Sequence, residues 1–207
     1  MSSIALLEYL LITAAIALSW GMVQGERPAE GRDDAAPGRS DAHGTGAPAR
    51  GEARPSGGLE STLDRIFTGL SAGTPDGFLK GAQIAYELTV EAFISGQLAE
   101  HRYLLSLEVA GDFGDAIAER RRRGQTAELT FVGFRSTEIV GARIEGDRAA
   151  LDVRFVTEIV TVVRDPEGRV VAGDPHRVVE ASGLWTFERN LRSRAPGWIV
   201  VATESLD

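Results

Sequence analysis

The densest run of chemistry-bearing side chains is Arg120 to Arg123, closed by Gly124. Arginines at the end of a helix complement the negative pole of its macrodipole, and glycine supplies the left-handed stop. The same run on a surface attracts anionic lipid headgroups, at about 1 kcal/mol per basic residue near a charged leaflet. Arg120, Arg121, Arg122 and Arg123 are therefore the membrane-surface candidates. Groups for acid–base work are sparse. Outside its first stretch the chain has two histidines, His101 in a helix-to-turn region and His176 beside a proline turn, both expected to be exposed. Asp112, Asp152 and Tyr86 are possible pocket groups, but a carboxylate becomes a base only with a burial-shifted pKa and a positioned partner. Asp152 lies between Leu151 and Val153 in an alternating strand, which turns it to solvent or into a sheet pair. The 207 residues contain no cysteine, which excludes disulfides, thiolate zinc sites, iron–sulfur clusters and cysteine nucleophiles. No phosphate-binding glycine loop, metal-spaced His/Asp cluster or nucleophile elbow occurs. No catalytic residue, metal or cofactor is assigned.

The net charge of −8 and a pI near 5.0 argue against a nucleic-acid partner, which demands a dominant basic surface. Three segments with different physics carry the remaining residues. Residues 4–23, IALLEYLLITAAIALSWGMV, match the thickness of a bilayer core at 1.5 Å rise per residue. Tyr9 and Trp20 sit near the ends as interfacial aromatics do. No Lys or Arg precedes the run and no small-residue cleavage site follows, so residues 1–23 read as an anchor rather than a signal peptide. Arg27 and Arg32 follow closely, which places the bulk of the chain on the cytoplasmic side of an inner membrane. Residues 24–58, rich in Gly, Pro, Ala, Arg and Asp, lack apolar groups to offset ordering entropy and read as a disordered linker. A coil of that length spans about 30 Å root-mean-square. His43 falls here and receives no role.

Residues 59–207 form the folded domain. Leu59, Leu63, Ile66, Phe67 and Leu70 share one helical face, begun by Glu60 or Ser61 and ended by Gly73 and Pro75. A second helix runs from Asp76, placed as N-cap, to Ser95, with Phe78, Ala82, Ala85, Tyr86, Thr89, Val90 and Phe93 inward and Gly96 as C-cap. Leu98 to Val109 reads as a short helical piece and turn anchored by Tyr103, Leu104, Leu105 and Leu107. A last helix follows to Arg123, with Phe113, Ile117 and Ala118 inward. From Gln125 the period becomes two. Strands are expected over 128–145, 149–164, 177–189 and 198–203, with tight turns at 145–148 and 165–168 and a possible extension of the ribbon at 169–172. Helices before strands predict an α+β domain: helices on one face of a curved four-stranded antiparallel sheet.

Several motifs then carry a resemblance. Val179-Glu180, Leu184 to Arg189, Ser193, Pro196-Gly197-Trp198 and Val201-Ala202-Thr203 resemble the bacterial, membrane-anchored branch of the Tim44-like domain family. So do Thr130 to Gly133, Val153 to Val156, Gly173-Asp174-Pro175 and the helix from Phe78 to Phe93. One departure is Gly183, where the pattern leads one to expect an acidic residue before Trp185. The resemblance implies a cone-like fold related to the nuclear-transport-factor-two-like superfamily, with a cavity between helices and sheet. It further implies a protein partner near translocation or assembly machinery at the inner membrane. The family's namesake links a preprotein translocase to a heat-shock chaperone. No amphipathic-helix region that would hold such a chaperone precedes the domain here, so chaperone docking stays open. Tyr86, Phe93, Phe113, Trp185, Phe187 and Trp198 are the pocket-lining candidates, because a conical sheet leaves space near its wide mouth; each alone is as well explained as ordinary core.

Three functions follow. The leading one is a non-catalytic, membrane-tethered binding or adaptor domain. The second is an enzyme of the isomerase or dehydratase type, since related cone folds host such chemistry, although fold alone does not license it. The third is a lipid- or small-ligand-binding domain or, with the cavity filled by its own side chains, a structural module.

Overall fold

The computed structural model describes residues 56–68, 73–193 and 197–206. The expected anchor and nearly all of the expected linker, with His43, lie outside the described residues, as do Leu70 and Pro196. Among the described residues no helix is long and apolar enough to cross a membrane. Helix α1 spans Ser56–Thr68, beginning three residues before the expected domain boundary and burying Ile66 and Phe67.

Helix α2 spans Pro75–Ser95. Its N-cap is Thr74, whose hydroxyl accepts from the Gly77 N–H, with Pro75 in the first turn. Asp76 is therefore not the cap but a first-turn acid, because proline's fixed φ suits the position directly after the cap. Gly96 closes the helix at φ 73. A 3-10 helix follows at Leu98–Leu104, then helix α3 at Leu107–Arg122, capped by the Ser106 hydroxyl on the Val109 N–H. Of the anchors expected between them, Leu105 is buried and Leu104 half-buried, but Tyr103 and Leu107 are 68% and 80% exposed. The extended Leu105–Ser106 pair interrupts the helical phase there and turns its neighbours outward.

The sheet comprises β1 (Thr126–Glu145), β2 (Arg148–Arg164), β3 (Val170–Gly173), β4 (Val179–Asn190) and β5 (Ile199–Leu206). Its order is β1-β2-β4-β5, with β3 paired to the far end of β2, so five strands replace the expected four. All pairings are antiparallel. Gly146 and Asp147 connect β1 to β2 as a two-residue hairpin loop, with Glu145 opposite Arg148. β1 carries three register shifts, around Val132, Arg135 and Val140; each extra residue bends the strand and raises its twist. At the start of the β3–β4 connection, Gly173 has φ 73 and lies so close to the Thr161 carbonyl that no Cβ fits.

Alternation sorts the two faces. Leu151, Val153, Phe155, Thr157 and Ile159 of β2 and Trp185 and Phe187 of β4 are buried beneath the helices. The opposite face carries cross-strand ion pairs: Arg135–Glu158, Arg143–Asp152, Arg148–Glu188, Arg154–Glu138 and Arg164–Glu128. Asp152 sits on this outer face, held by Arg143 at 2.9 Å and by the Thr186 hydroxyl at 2.8 Å. It is a sheet pair, far from any pocket role.

Candidate functional site

Between α2, α3 and the sheet lies a cleft of about 70 Å³. The last turns of α2 supply Tyr86, Val90, Phe93 and Ile94; α3 supplies Phe113; the strands supply Leu129, Ile159, Thr161, Gly183, Trp185 and Ser205. Tyr86, Phe93, Phe113 and Trp185, four of the six aromatic candidates, border this space. The other two lie elsewhere. Phe187 and Trp198 pack edge-on against Phe78, with ring centroids 5.6 and 4.9 Å away. Phe187 belongs to the closed core, and the half-buried Trp198 packs against it.

Around the cleft the aromatics support one another. Tyr86 lies 4.8 Å from both Phe155 and Trp185, and Phe93 is 5.2 Å from Phe113. The Thr157 hydroxyl donates to the Ala181 carbonyl at 3.3 Å, so the Tyr86 phenol, 3.4 Å from the same oxygen, is the donor of that pair. Burial pushes the Tyr86 pKa above its ordinary value.

One polar group in the wall is unclaimed. Thr161 is 6% exposed, and its hydroxyl has no hydrogen-bond partner among the described residues. A Cβ added at Gly183 would stand 3.2 Å from the Glu204 carbonyl oxygen and 3.7 Å from the Trp185 indole nitrogen. Position 183 thus faces the cleft, and the absence of a side chain there keeps that end open. Thr161 and Ser205 have only strand parity to mark them in the sequence, which puts each on the helix-facing side, whereas Gly183 stands out there as a missing acidic residue.

Arg120, Arg121 and Arg122 lie in the last turn of α3, and each arginine of the run has a local partner. Arg120 donates to the carbonyls of Phe93 and Ile94 at 2.9 and 2.7 Å, and its guanidinium lies over the Phe93 ring at 5.4 Å. Arg121 donates to the Gly96 carbonyl at 3.0 Å. These two satisfy carbonyls at the end of α2, a neighbouring helix, rather than of their own. Burial first, and the adjacent Arg121 charge second, lower the Arg120 pKa. Arg122 and Arg123 both bind Glu119, which holds that carboxyl below its ordinary pKa.

The remaining acid–base candidates do not converge. His176 is exposed. His101 is half-buried rather than exposed, with Nδ1 enclosed and without a partner among the described residues. Asp112 is half-buried on α3. None of the three borders the cleft. Among the described residues no cluster of His, Asp or Glu could hold a metal ion.

The class defined by this architecture is an α+β domain whose curved antiparallel sheet and helices enclose an apolar cleft. The sequence pattern of the Tim44-like domain matches residues 73–205, from the start of α2 nearly to the end of β5. The chain belongs to the Tim44-like family. Among solved structures, the intermembrane-space region of the chloroplast protein ARC6 aligns at 17% identity over 76% of this chain and 98% of that one, with a TM-score of 0.35. No curated protein matches the chain.

Proposed function

We propose that this protein is a non-catalytic adaptor, tethered to the inner membrane through residues 4–23, whose folded domain holds a protein partner of the translocation or assembly machinery. The observation that carries the reading is membership of the Tim44-like family over residues 73–205. The cleft agrees with a binding role: aromatic and aliphatic walls, and no pair of ionisable side chains aimed at a common point. The folded domain then lies on the cytoplasmic side, about 30 Å from its anchor on a flexible tether. Mild crosslinking in cells, extraction in detergent and mass spectrometry of what co-purifies test this. Translocase or assembly proteins are expected with the full chain and not after deletion of residues 59–207. Recovery of the same bulk membrane proteins by both refutes the adaptor.

A second reading, a lipid- or small-ligand-binding domain, is favoured by the cleft itself. Its apolar walls and the unpartnered Thr161 hydroxyl suit a small uncharged ligand with one hydrogen-bonding group. Native mass spectrometry of the detergent-extracted chain distinguishes it: a bound small molecule of constant mass supports it, and a bare chain excludes it.

A further inference from the structure

We propose that the outer edge of β5 beyond Val200 docks an extended polypeptide segment that is apolar on its inner side and basic on its outer side. This rests on the partner-holding reading above and supplies the partner's chemistry.

The chain already uses this edge once. Leu105 bridges Val200 in parallel, and the Ser106 N–H donates to the Val200 carbonyl at 2.8 Å. Helix α3 then starts at Leu107, and among the described residues no further backbone bond reaches the edge. Val200, Thr203 and Ser205 stand opposite Phe187, Trp185 and Gly183, alternate residues of β4. They therefore share one orientation, and the N–H and C=O groups of Thr203 and Ser205 point outward as the Val200 carbonyl does. These are the groups a new strand needs.

The two outer edges of the sheet are treated differently. β1 is interrupted by three bulges, which spoil a template for pairing. In β5 the register shift falls at Val201, ahead of the open stretch, and residues 202–206 run regularly. The cleft lies directly inside this regular stretch, lined by Ser205, Gly183, Trp185 and Phe113. An added strand would send alternate side chains inward over the space that Gly183 leaves.

Its other side chains would lie beside Glu204. The outward carboxylates Glu128, Glu138, Glu158 and Glu188 all pair with arginines. Glu204 is exposed and has no ion-pair partner among the described residues. A lysine or arginine at that place in the incoming strand completes the pattern of the outer face and sets specificity.

The test uses the full-length chain in detergent micelles and the labelled peptide acetyl-Leu-Lys-Val-Lys-Val-amide, followed by fluorescence anisotropy. The expected result is saturable binding, with the glutamate-for-lysine twin weaker by about tenfold. Ser205→Pro removes an outward N–H without touching the β4–β5 ladder, because proline is tolerated on an edge when its nitrogen faces out. Its expected cost is about tenfold or more in affinity with an unchanged melting curve. Should that variant misfold, a peptide N-methylated at alternate residues removes the same bonds from the other side, and the same loss is expected with the unaltered protein. Glu204→Gln should erase the preference for lysine over glutamate. Equal binding of the methylated and unmethylated peptides overturns the proposal, because the contact is then with the cleft alone. No binding of any peptide, with the crosslinked partners still recovered in cells, overturns the docking edge and leaves the adaptor standing.

Discussion

The two ends of the helix–sheet interface are built from the same residue types and finished differently. At one end Phe67, Phe78, Phe187 and Trp198 close on one another above Leu151 and Val200, both fully buried. At the other, Tyr86, Phe93, Phe113 and Trp185 surround space that position 183 leaves empty. Aromatic content does not distinguish the two ends. What differs is what lies beside the rings. Rings pack on rings at both ends, but at the second a glycine and an unclaimed hydroxyl leave a gap beside them. At the second end Arg120 ties two of the last carbonyls of α2 to α3.

The largest effect expected from this contrast is on stability. Phe187→Ala should cost about 3–5 kcal/mol, because its tightly packed surroundings cannot close the gap. Phe113→Ala, bordering existing space, should cost roughly half as much. Denaturant midpoints compare the two, and equal losses would mean the ends are packed alike.

Next comes the arginine tie. Arg120→Ala strands two carbonyls and should cost about 2 kcal/mol. Arg122→Ala removes one surface pair, with side chains 69% and 42% exposed, and should change stability by about 0.5 kcal/mol or less. If the two variants melt together, Arg120 does not act as such a tie.

A gain is expected from Thr161→Val. Removing an enclosed hydroxyl that has no partner should stabilise the chain by about 1 kcal/mol. A loss instead would show that a bound molecule uses that hydroxyl. The smallest effect is at high pH. The Tyr86 phenol has a folded pKa raised above its unfolded value of 10.0. Its contribution is complete below pH 10.0 and is lost as pH rises through the higher folded value. Titration of the phenolate absorbance, compared with Tyr86→Phe, should show one tyrosine ionising late, and Tyr86→Phe should remove that part of the alkaline destabilisation.

Much of the fold was legible because its signals are local. The 3.6 period of α2, its Gly96 stop, and the turns at 145–148 and 165–168 each follow from a few adjacent residues. What was not legible depends on distant partners. Three bulges in β1 answer to the curvature of the sheet, so Val132 and Val140 are exposed within an otherwise regular strand. Tyr103 and Leu107 are apolar yet exposed, because the Leu105–Ser106 bridge to β5 sets the phase of that region. The site divided in the same way. Aromatic identity pointed to Tyr86, Phe93, Phe113 and Trp185, but equally to Phe187, which lies in the closed core, and to Trp198, which packs against it. Thr161 carried no signal of its own, and Gly183 stood out only as a missing acidic residue; one matters for an unmade bond and the other for an absent side chain, and both roles need three-dimensional neighbours to be seen. Likewise, the run from Arg120 to Arg123 read as a single patch, whereas Arg120 and Arg121 serve α2 and Arg122 and Arg123 serve Glu119.

The most direct test of the account places a photoreactive amino acid at either end of the full-length chain in cells. Position 204 sits at the open end and position 84, exposed on the outer face of α2, serves as the contrast. The account predicts a discrete crosslinked partner from position 204, reduced by Gly183→Leu, and only diffuse products from position 84. The same partner captured from position 84 and not from position 204 would show that binding does not use the open end.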